Sequence, residues 1–101
     1  MTEMEEKRLG FIGIIVEERK TSAAKINHIL SEFGDLIIGR MGIPGSDKKV
    51  NVISLIVKAN TDEIGAMTGK IGLLKGVKVK SSLSKIAWTK LINEKYFIKL
   101  F

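Results

Sequence analysis

The sequence of 101 residues lacks cysteine altogether and contains only one histidine and one proline. The absence of cysteine excludes disulfides, thiolate nucleophiles and cysteine-ligated metal clusters. The lone histidine, His28, has no second histidine with which to share a metal ion, so we interpret it as a surface or packing residue. No apolar run approaches the length of a membrane-spanning helix, and the acidic residues Glu3, Glu5 and Glu6 are unlike a secretory or transit peptide. A cytoplasmic location is therefore expected.

The sequence also lacks any grouping of residues that is typical of an active site. No nucleophile is paired by its spacing with a general base, and no set of side chains has the spacing of a metal or cluster site. We therefore predict a protein that is not an enzyme, has no catalytic or metal-binding residues and needs no cofactor.

What the sequence does contain is an apolar pattern that repeats after 41 residues. The first occurrence comprises Leu9, Phe11, Ile12, Ile14, Ile15 and Val16, and the second comprises Val50, Val52, Ile53, Leu55, Ile56 and Val57. A helical pattern repeats in the same way, with Ala23, Ile26, Leu30 and Phe33 recurring as Ile64, Met67, Ile71 and Leu74. The repeat predicts two successive strand–helix–strand units.

Two such units predict an α+β fold, a ferredoxin-like βαββαβ sandwich. Right-handed crossovers give a four-stranded antiparallel sheet of order 4-1-3-2 with both helices on one face. The predicted strands cover about residues 9–16, 36–41, 50–59 and 77–80, and the helices begin near Thr21 or Ser22 and at Asn60. We expect a polar lead at 1–7, the folded domain at 8–85 and a C-terminal extension at 86–101, which forms a helix capped by Ser84 or a strand.

The alternation of valine and lysine in the fourth strand indicates which side of the sheet faces the helices. Val77 and Val79 are expected to face inwards, and the repeat extends this assignment to the other strands. The opposite face is then predicted to carry Phe11, Ile15, Ile37, Met41, Val52 and Ile56. A soluble monomer rarely leaves so many large apolar side chains in water, so a second copy or the C-terminal extension should cover them. We predict a homo-oligomer that forms through this face.

Positive charge is concentrated in the last third of the chain. Residues 70–101 contain eight lysines and a single acid, Glu94, whereas residues 1–69 contain nine Lys/Arg and ten Asp/Glu. Such a segment is typical of a protein that contacts phosphates, and equally of a solvated lysine face. The alternative function is therefore nucleic-acid binding by Lys78, Lys80, Lys85, Lys90 and Lys95. Base stacking on the sheet is not expected, because Phe11 is the one aromatic residue predicted there.

Three further groups of residues are candidates for binding. Gly65, Gly69 and Gly72 form a stripe on the second helix, which indicates either close packing against the first helix or the approach of a ligand. Arg40 is expected on the helix-facing side of the second strand, where it meets an anion or forms a salt bridge at the rim. Glu17, Glu18, Asp62 and Glu63 lie near one end of the sheet and are interpreted as solvated residues and helix-terminal acids rather than as a Mg²⁺ site.

Two stretches of the sequence resemble a known family. They are residues 38–44, Ile-Gly-Arg-Met-Gly-Ile-Pro, and residues 61–72, Thr-Asp-Glu-Ile-Gly-Ala-Met-Thr-Gly-Lys-Ile-Gly, the latter followed by Gly-Val-Lys-Val-Lys at 76–80. Over about residues 8–85 they resemble the small proteins described as iron-only hydrogenase system regulators, which have an ACT-like or nickel-regulator-C-terminal-like fold. The resemblance implies a non-enzymatic regulatory domain of ferredoxin-like fold that forms oligomers.

ACT-like domains often bind small effectors near the loop between the first strand and the first helix. In this chain that loop is Glu17-Glu18-Arg19-Lys20, and it lacks the glycine that is common in amino-acid-binding members. The resemblance therefore implies a small-molecule effector or a protein partner, and argues against an amino acid. The predicted ligand-binding residues are Arg19, Lys20, Arg40, Gly65 and Gly69.

Overall fold

Four strands, two long helices and two short helical segments make up the computed structural model, which describes residues 6–17, 19–45 and 50–93. The order along the chain is β1 (Arg8–Val16), α1 (Arg19–Glu32), a 3-10 turn (Gly34–Leu36), β2 (Ile37–Pro44), β3 (Asn51–Ala59), α2 (Thr61–Gly72), β4 (Val77–Ala87) and α3 (Trp88–Asn93). The strands form one sheet of order β2-β3-β1-β4, in which every neighbouring pair is antiparallel. The predicted fold class and strand order are confirmed.

The core lies between the sheet and the two long helices, and the repeat in the sequence accounts for most of it. Alternate residues of β1 and β3 are buried, and equivalent positions of the two strands contribute their side chains to the core. The fully or nearly fully buried side chains include Ile12, Ile14 and Val16 from β1, Leu55 and Val57 from β3, Ile26 and Leu30 from α1, and Met67 and Ile71 from α2. This alternation leaves the remaining strand residues on the opposite side of the sheet.

Helix α2 begins with a cap that its sequence predicts. The Oδ1 atom of Asn60 accepts a hydrogen bond of 2.8 Å from the backbone N–H of Glu63, and Glu63 Oε1 accepts one of 2.9 Å from the N–H of Asn60. This reciprocal arrangement satisfies two backbone donors at the helix N-terminus. After the helix, Gly76 adopts a φ of 69°, a value that favours glycine and lets the chain turn into β4.

Strand β2 departs from the predicted register. The pairing with β3 shifts between Ile37, which lies opposite Val57, and Gly39, which lies opposite Ile56. The extra residue is a bulge, and it places Ile37 on the side of Val57, where it packs against the core. The prediction that Ile37 lies on the face away from the helices is therefore wrong.

The end of the described chain also differs from the prediction. Strand β4 runs to Ala87, well past the four residues expected, and Ser84 lies inside it rather than capping a helix. Its Oγ donates a hydrogen bond of 2.7 Å to the carbonyl of Leu9, and the N–H of Trp88 donates one of 2.8 Å to the carbonyl of Lys7. Ala87 lies opposite Arg8, so the pairing with β1 continues to the end of the strand. The strand predicted as an alternative near Tyr96 lies outside the described residues.

In the described ranges, no helix is long and apolar enough to cross a membrane.

Candidate functional site

The face of the sheet that points away from the helices, called here the open face, is apolar over three of its four strands. Its large side chains are between 42% and 62% exposed to solvent. They are Phe11 and Ile15 on β1, Val52 and Ile56 on β3, and Met41 and Ile43 on β2. Five of these were expected on this face from the sequence alone.

Ile43 is a residue of the open face that is not among the residues predicted for it. The predicted second strand ends at about residue 41, whereas β2 continues to Pro44 and Ile43 lies opposite Val52. The alternation of Met41 with Ile43 is the signal that would have revealed it. The bulge removes Ile37 from the patch, whereas Ile43 belongs to it because it keeps the alternation with Met41.

The fourth strand gives the open face a basic border. Lys78 lies opposite Ile15 and Lys80 lies opposite Gly13, so both lysines point to the same side as the apolar patch. Lys78 Nζ is 3.9 Å from Glu17 Oε1. Lys85 and Lys90 are exposed further along, and Lys95 lies outside the described residues. The suggestion that these lysines bind nucleic acid stays a prediction.

A cleft of about 160 Å³ lies on the other side of the sheet, between α1 and the ends of β2 and β3. Helix α1 contributes Ala23, Ile26 and Asn27, and β1 contributes its last residue, Val16. The two paired strands contribute Arg40, Gly42, Ile43, Pro44, Asn51, Val52 and Ile53. Ile43 and Val52 belong both to this cleft and to the open face, so the two surfaces meet at their rim.

The hollow exists because glycine occupies the central position of β2 that faces the helix. Gly42 lies opposite Ile53, between Arg40, which is opposite Leu55, and Pro44, which is opposite Asn51. A Cβ atom built at Gly42 would meet only the carbonyl oxygen of Val52, at 4.0 Å. The space above Gly42 is therefore open, and a larger side chain there would occupy part of the cleft.

Two polar side chains in the cleft, those of Arg40 and Asn51, could form hydrogen bonds with a ligand. Arg40 lies on the helix-facing side, as expected, and its Nη2 donates a hydrogen bond of 2.8 Å to Oδ1 of Asn27. It is the one charged side chain among the described residues that line the cleft. Oδ1 of Asn51 is buried and has no hydrogen-bond partner among the described residues. Buried acceptors are rarely left in this condition, because desolvation without a compensating hydrogen bond is costly.

The other predicted ligand-binding residues do not gather around Arg40. Arg19 and Lys20 begin α1, close in sequence to Val16 of the cleft, but their side chains lie outside what the structure describes. Gly65 and Gly69 are exposed on α2 and do not line the cleft. A Cβ at either glycine would meet nothing within 4 Å, so close packing against α1 does not explain them. Of the three glycines of the stripe, Gly72 alone has such a neighbour, with Val79 Cγ1 3.4 Å from the position of a Cβ, an ordinary van der Waals contact.

The prediction that the acidic residues lie near one end of the sheet is wrong, because Glu63 follows Ala59, which lies opposite the first residue of β1, whereas Glu17 follows the last residue of that strand. Lys7 Nζ donates hydrogen bonds of 2.8 Å and 2.7 Å to the two carboxylate oxygens of Glu63. Burial raises the pKa of Glu63, but the bond and charge of Lys7, together with the N–H of Asn60, hold that pKa below its ordinary value. Among the described residues, no three His, Cys, Asp or Glu side chains lie close enough to hold a metal ion. His28 is exposed, with Nε2 3.8 Å from Glu32 Oε2.

Comparison with known proteins gives one family and several similar structures. Residues 8–81 match the TM1266-like family, described as "Iron-only hydrogenase system regulator, putative". No curated protein matches the chain. The structure of the uncharacterized protein TM1266 from Thermotoga maritima is similar at a TM-score of 0.75 and 36% identity, covering 79% of this chain and 100% of that one.

Two more distant structures share the fold. The ACT domain from GTP pyrophosphokinase of Chlorobium tepidum has a TM-score of 0.61 at 22% identity, covering 75% of this chain and 99% of that one. The C-terminal domain of the MgtC protein from Mycobacterium tuberculosis has a TM-score of 0.55 at 16% identity, covering 85% of this chain and 97% of that one. At these identities the likeness concerns the fold alone.

Proposed function

The chain belongs to the TM1266-like family of iron-only hydrogenase system regulators, and we propose that it is a non-enzymatic regulatory module that works as a homo-oligomer. The observation that supports this proposal is the open face, with six large apolar side chains each at least 42% exposed. Burying such side chains contributes about 25 cal/mol for each Å² of apolar surface removed from water. A partner surface of similar apolar character would therefore be bound.

A second copy of the chain fits the open face better than a partner of unlike surface. A two-fold axis through the apolar patch brings Phe11 and Ile56 of one copy against the same patch of the other. An axis parallel to the strands places the two β4 borders, with Lys78 and Lys80, on opposite sides of the interface. Like charges then stay apart, and the lysines remain in water where their solvation is retained.

The proposal is tested by placing a charge on the open face. Phe11 is 60% exposed, so Phe11→Asp removes no core contact but puts a carboxylate in the proposed interface. We expect the variant to be monomeric by sedimentation velocity at concentrations where the wild type is assembled, because an unpaired buried charge is strongly unfavourable.

The matched control is Leu73→Asp, which introduces the same charge at an exposed leucine, 86% accessible, after α2. Leu73 lies on the helix side of the molecule, so this variant should assemble like the wild type. Assembly of Phe11→Asp that equals the wild type at every concentration would remove the open face from the interface.

A further inference from the structure

We propose that the cleft between α1 and the ends of β2 and β3 binds a small aliphatic 2-hydroxy carboxylate, one molecule per chain. This inference rests on the proposed regulatory function, since the ligand would be the effector to which the regulatory module responds. The evidence for the ligand class comes from three features of the cleft: one cation, one unpartnered acceptor and an otherwise apolar lining.

The carboxylate follows from Arg40. A guanidinium offers five N–H donors, and the structure shows one of them engaged with Asn27 Oδ1. Its planar donors match the two oxygens of a carboxylate. Arg40 is the one cation among the described lining residues, so the site compensates a single negative charge. A monocarboxylate fits this charge better than a phosphate, which carries more negative charge at neutral pH.

The hydroxyl group follows from Asn51. Its Oδ1 is buried and unpartnered, so a ligand that donates a hydrogen bond there would relieve an existing desolvation cost. An ammonium group could also donate, but none of the described lining residues is an acid that would balance its charge. Burying a charge without a partner is far more costly than burying a hydroxyl. The cleft therefore favours a hydroxy acid over an amino acid.

The aliphatic part of the ligand is inferred from the other residues that line the cleft and from the volume of the cleft. Val16, Ile26 and Ile53 present apolar surface, and Gly42 leaves the floor open. The cleft of about 160 Å³ is comparable in volume to a cavity that holds a benzene-sized molecule. A compound such as 2-hydroxyisovalerate, with a branched group of three carbons attached to the hydroxyl-bearing carbon next to the carboxylate, is of suitable size.

Binding in this cleft would be linked to assembly through the shared rim. Ile43 and Val52 line the cleft and also belong to the open face. A ligand that orders these two side chains changes the surface that the second copy meets. If it alters the assembly equilibrium, assembly must alter ligand affinity by the same factor.

The test is a titration of the full chain with 2-hydroxyisovalerate. Binding is measured by calorimetry and by the changes in amide NMR shifts at Gly42 and Asn51. Three related probes each change one feature: isovalerate lacks the hydroxyl, L-valine replaces it with an ammonium, and 2-hydroxyisovaleramide lacks the charge. We expect 2-hydroxyisovalerate to bind most tightly. Loss of the hydroxyl should weaken binding about 3- to 10-fold, and loss of the charge by about tenfold or more.

Variants of the cleft complete the test. Arg40→Met should weaken the binding of 2-hydroxyisovalerate by about tenfold or more. Gly42→Val should abolish binding, because the valine side chain fills the hollow. Asn51→Leu should lower the affinity for 2-hydroxyisovalerate but leave that for isovalerate unchanged. Lys25→Met is the control for Arg40→Met, because it removes a charge from an exposed position of α1 that does not line the cleft. Folding of each variant is checked by its amide spectrum.

Three outcomes would overturn the proposal: no binding of 2-hydroxyisovalerate at millimolar concentration, binding unchanged in Arg40→Met and Gly42→Val, or tighter binding of L-valine. The same titration with Phe11→Asp separates this proposal from the homo-oligomer, since Phe11 does not line the cleft. Ligand binding by that variant supports the site whatever its state of assembly. Failure of the cleft alone leaves the proposed interface unaffected.

Discussion

Glu63 stabilises the fold through two contacts that depend on its negative charge. It accepts hydrogen bonds from Lys7 Nζ, 56 residues away along the chain, and from the N–H of Asn60 at the start of α2. These contacts hold its pKa below the ordinary value against the effect of burial. One carboxylate therefore both closes the helix cap and ties the start of β1 to α2.

The lowered pKa of Glu63 predicts a loss of stability in acid. Because the folded-state pKa lies below that of the unfolded chain, the stabilisation is fully present above about pH 4.3 and is lost as the pH falls through the folded-state value. Denaturant unfolding at a series of pH values should show a smaller decrease below that pH in Glu63→Gln than in the wild type. Asp62→Asn, at the neighbouring exposed acid, is the control and should keep the wild-type dependence. Equal slopes for Glu63→Gln and the wild type would contradict the assignment.

The residues of the cleft show what a sequence leaves undetermined at this scale. Arg40 was expected on the helix-facing side, because strand parity places it there. Asn51 was not identified, because nothing in its neighbours indicates that its Oδ1 is buried without a partner. Gly42 lies beyond the predicted end of the second strand, and its place in the cleft is visible only when β2 and α1 lie beside each other.

Strands β1 and β3 were the most predictable elements. Each alternates apolar core residues with apolar open-face residues, and the 41-residue repeat confirms one assignment with the other. Strand β2 was less predictable because a bulge changes the face of its first residue, and a bulge has no fixed signature in an apolar segment such as Leu36-Ile37-Ile38. Strand β4 was underestimated because its second half, Ser81–Ala87, is rich in serine and breaks the clean alternation.

The register of β2 is testable with two isoleucines of the same strand. Ile37 packs against the core, whereas Ile43 is 57% exposed on the open face. Ile37→Asp should lower the free energy of unfolding by more than about 2 kcal/mol, because it places a charge beside the core. Ile43→Asp should change the stability of the monomer little and weaken assembly. Denaturant unfolding and sedimentation distinguish them, and similar unfolding midpoints for the two variants would contradict the observed register.

At the scale of the whole molecule, the sheet separates two surfaces of different composition. The helix side carries the core and the cleft, and the open face carries the apolar patch with its basic border. The fold, the core and the apolar open face could be predicted from the strand period of two residues and the helix period of 3.6, because they follow from which residues avoid water. The identity of what covers the open face could not, because an apolar surface specifies burial but not the partner.

The central claim is that a second copy of the chain, and not the C-terminal segment, covers the open face. Native mass spectrometry of the purified protein, with and without residues 94–101, tests it most directly because it reports the number of subunits and any small molecule that remains bound. We predict a dimer or a larger assembly for both forms. A single subunit for the full chain at every concentration, or assembly that begins only when residues 94–101 are removed, would contradict the account.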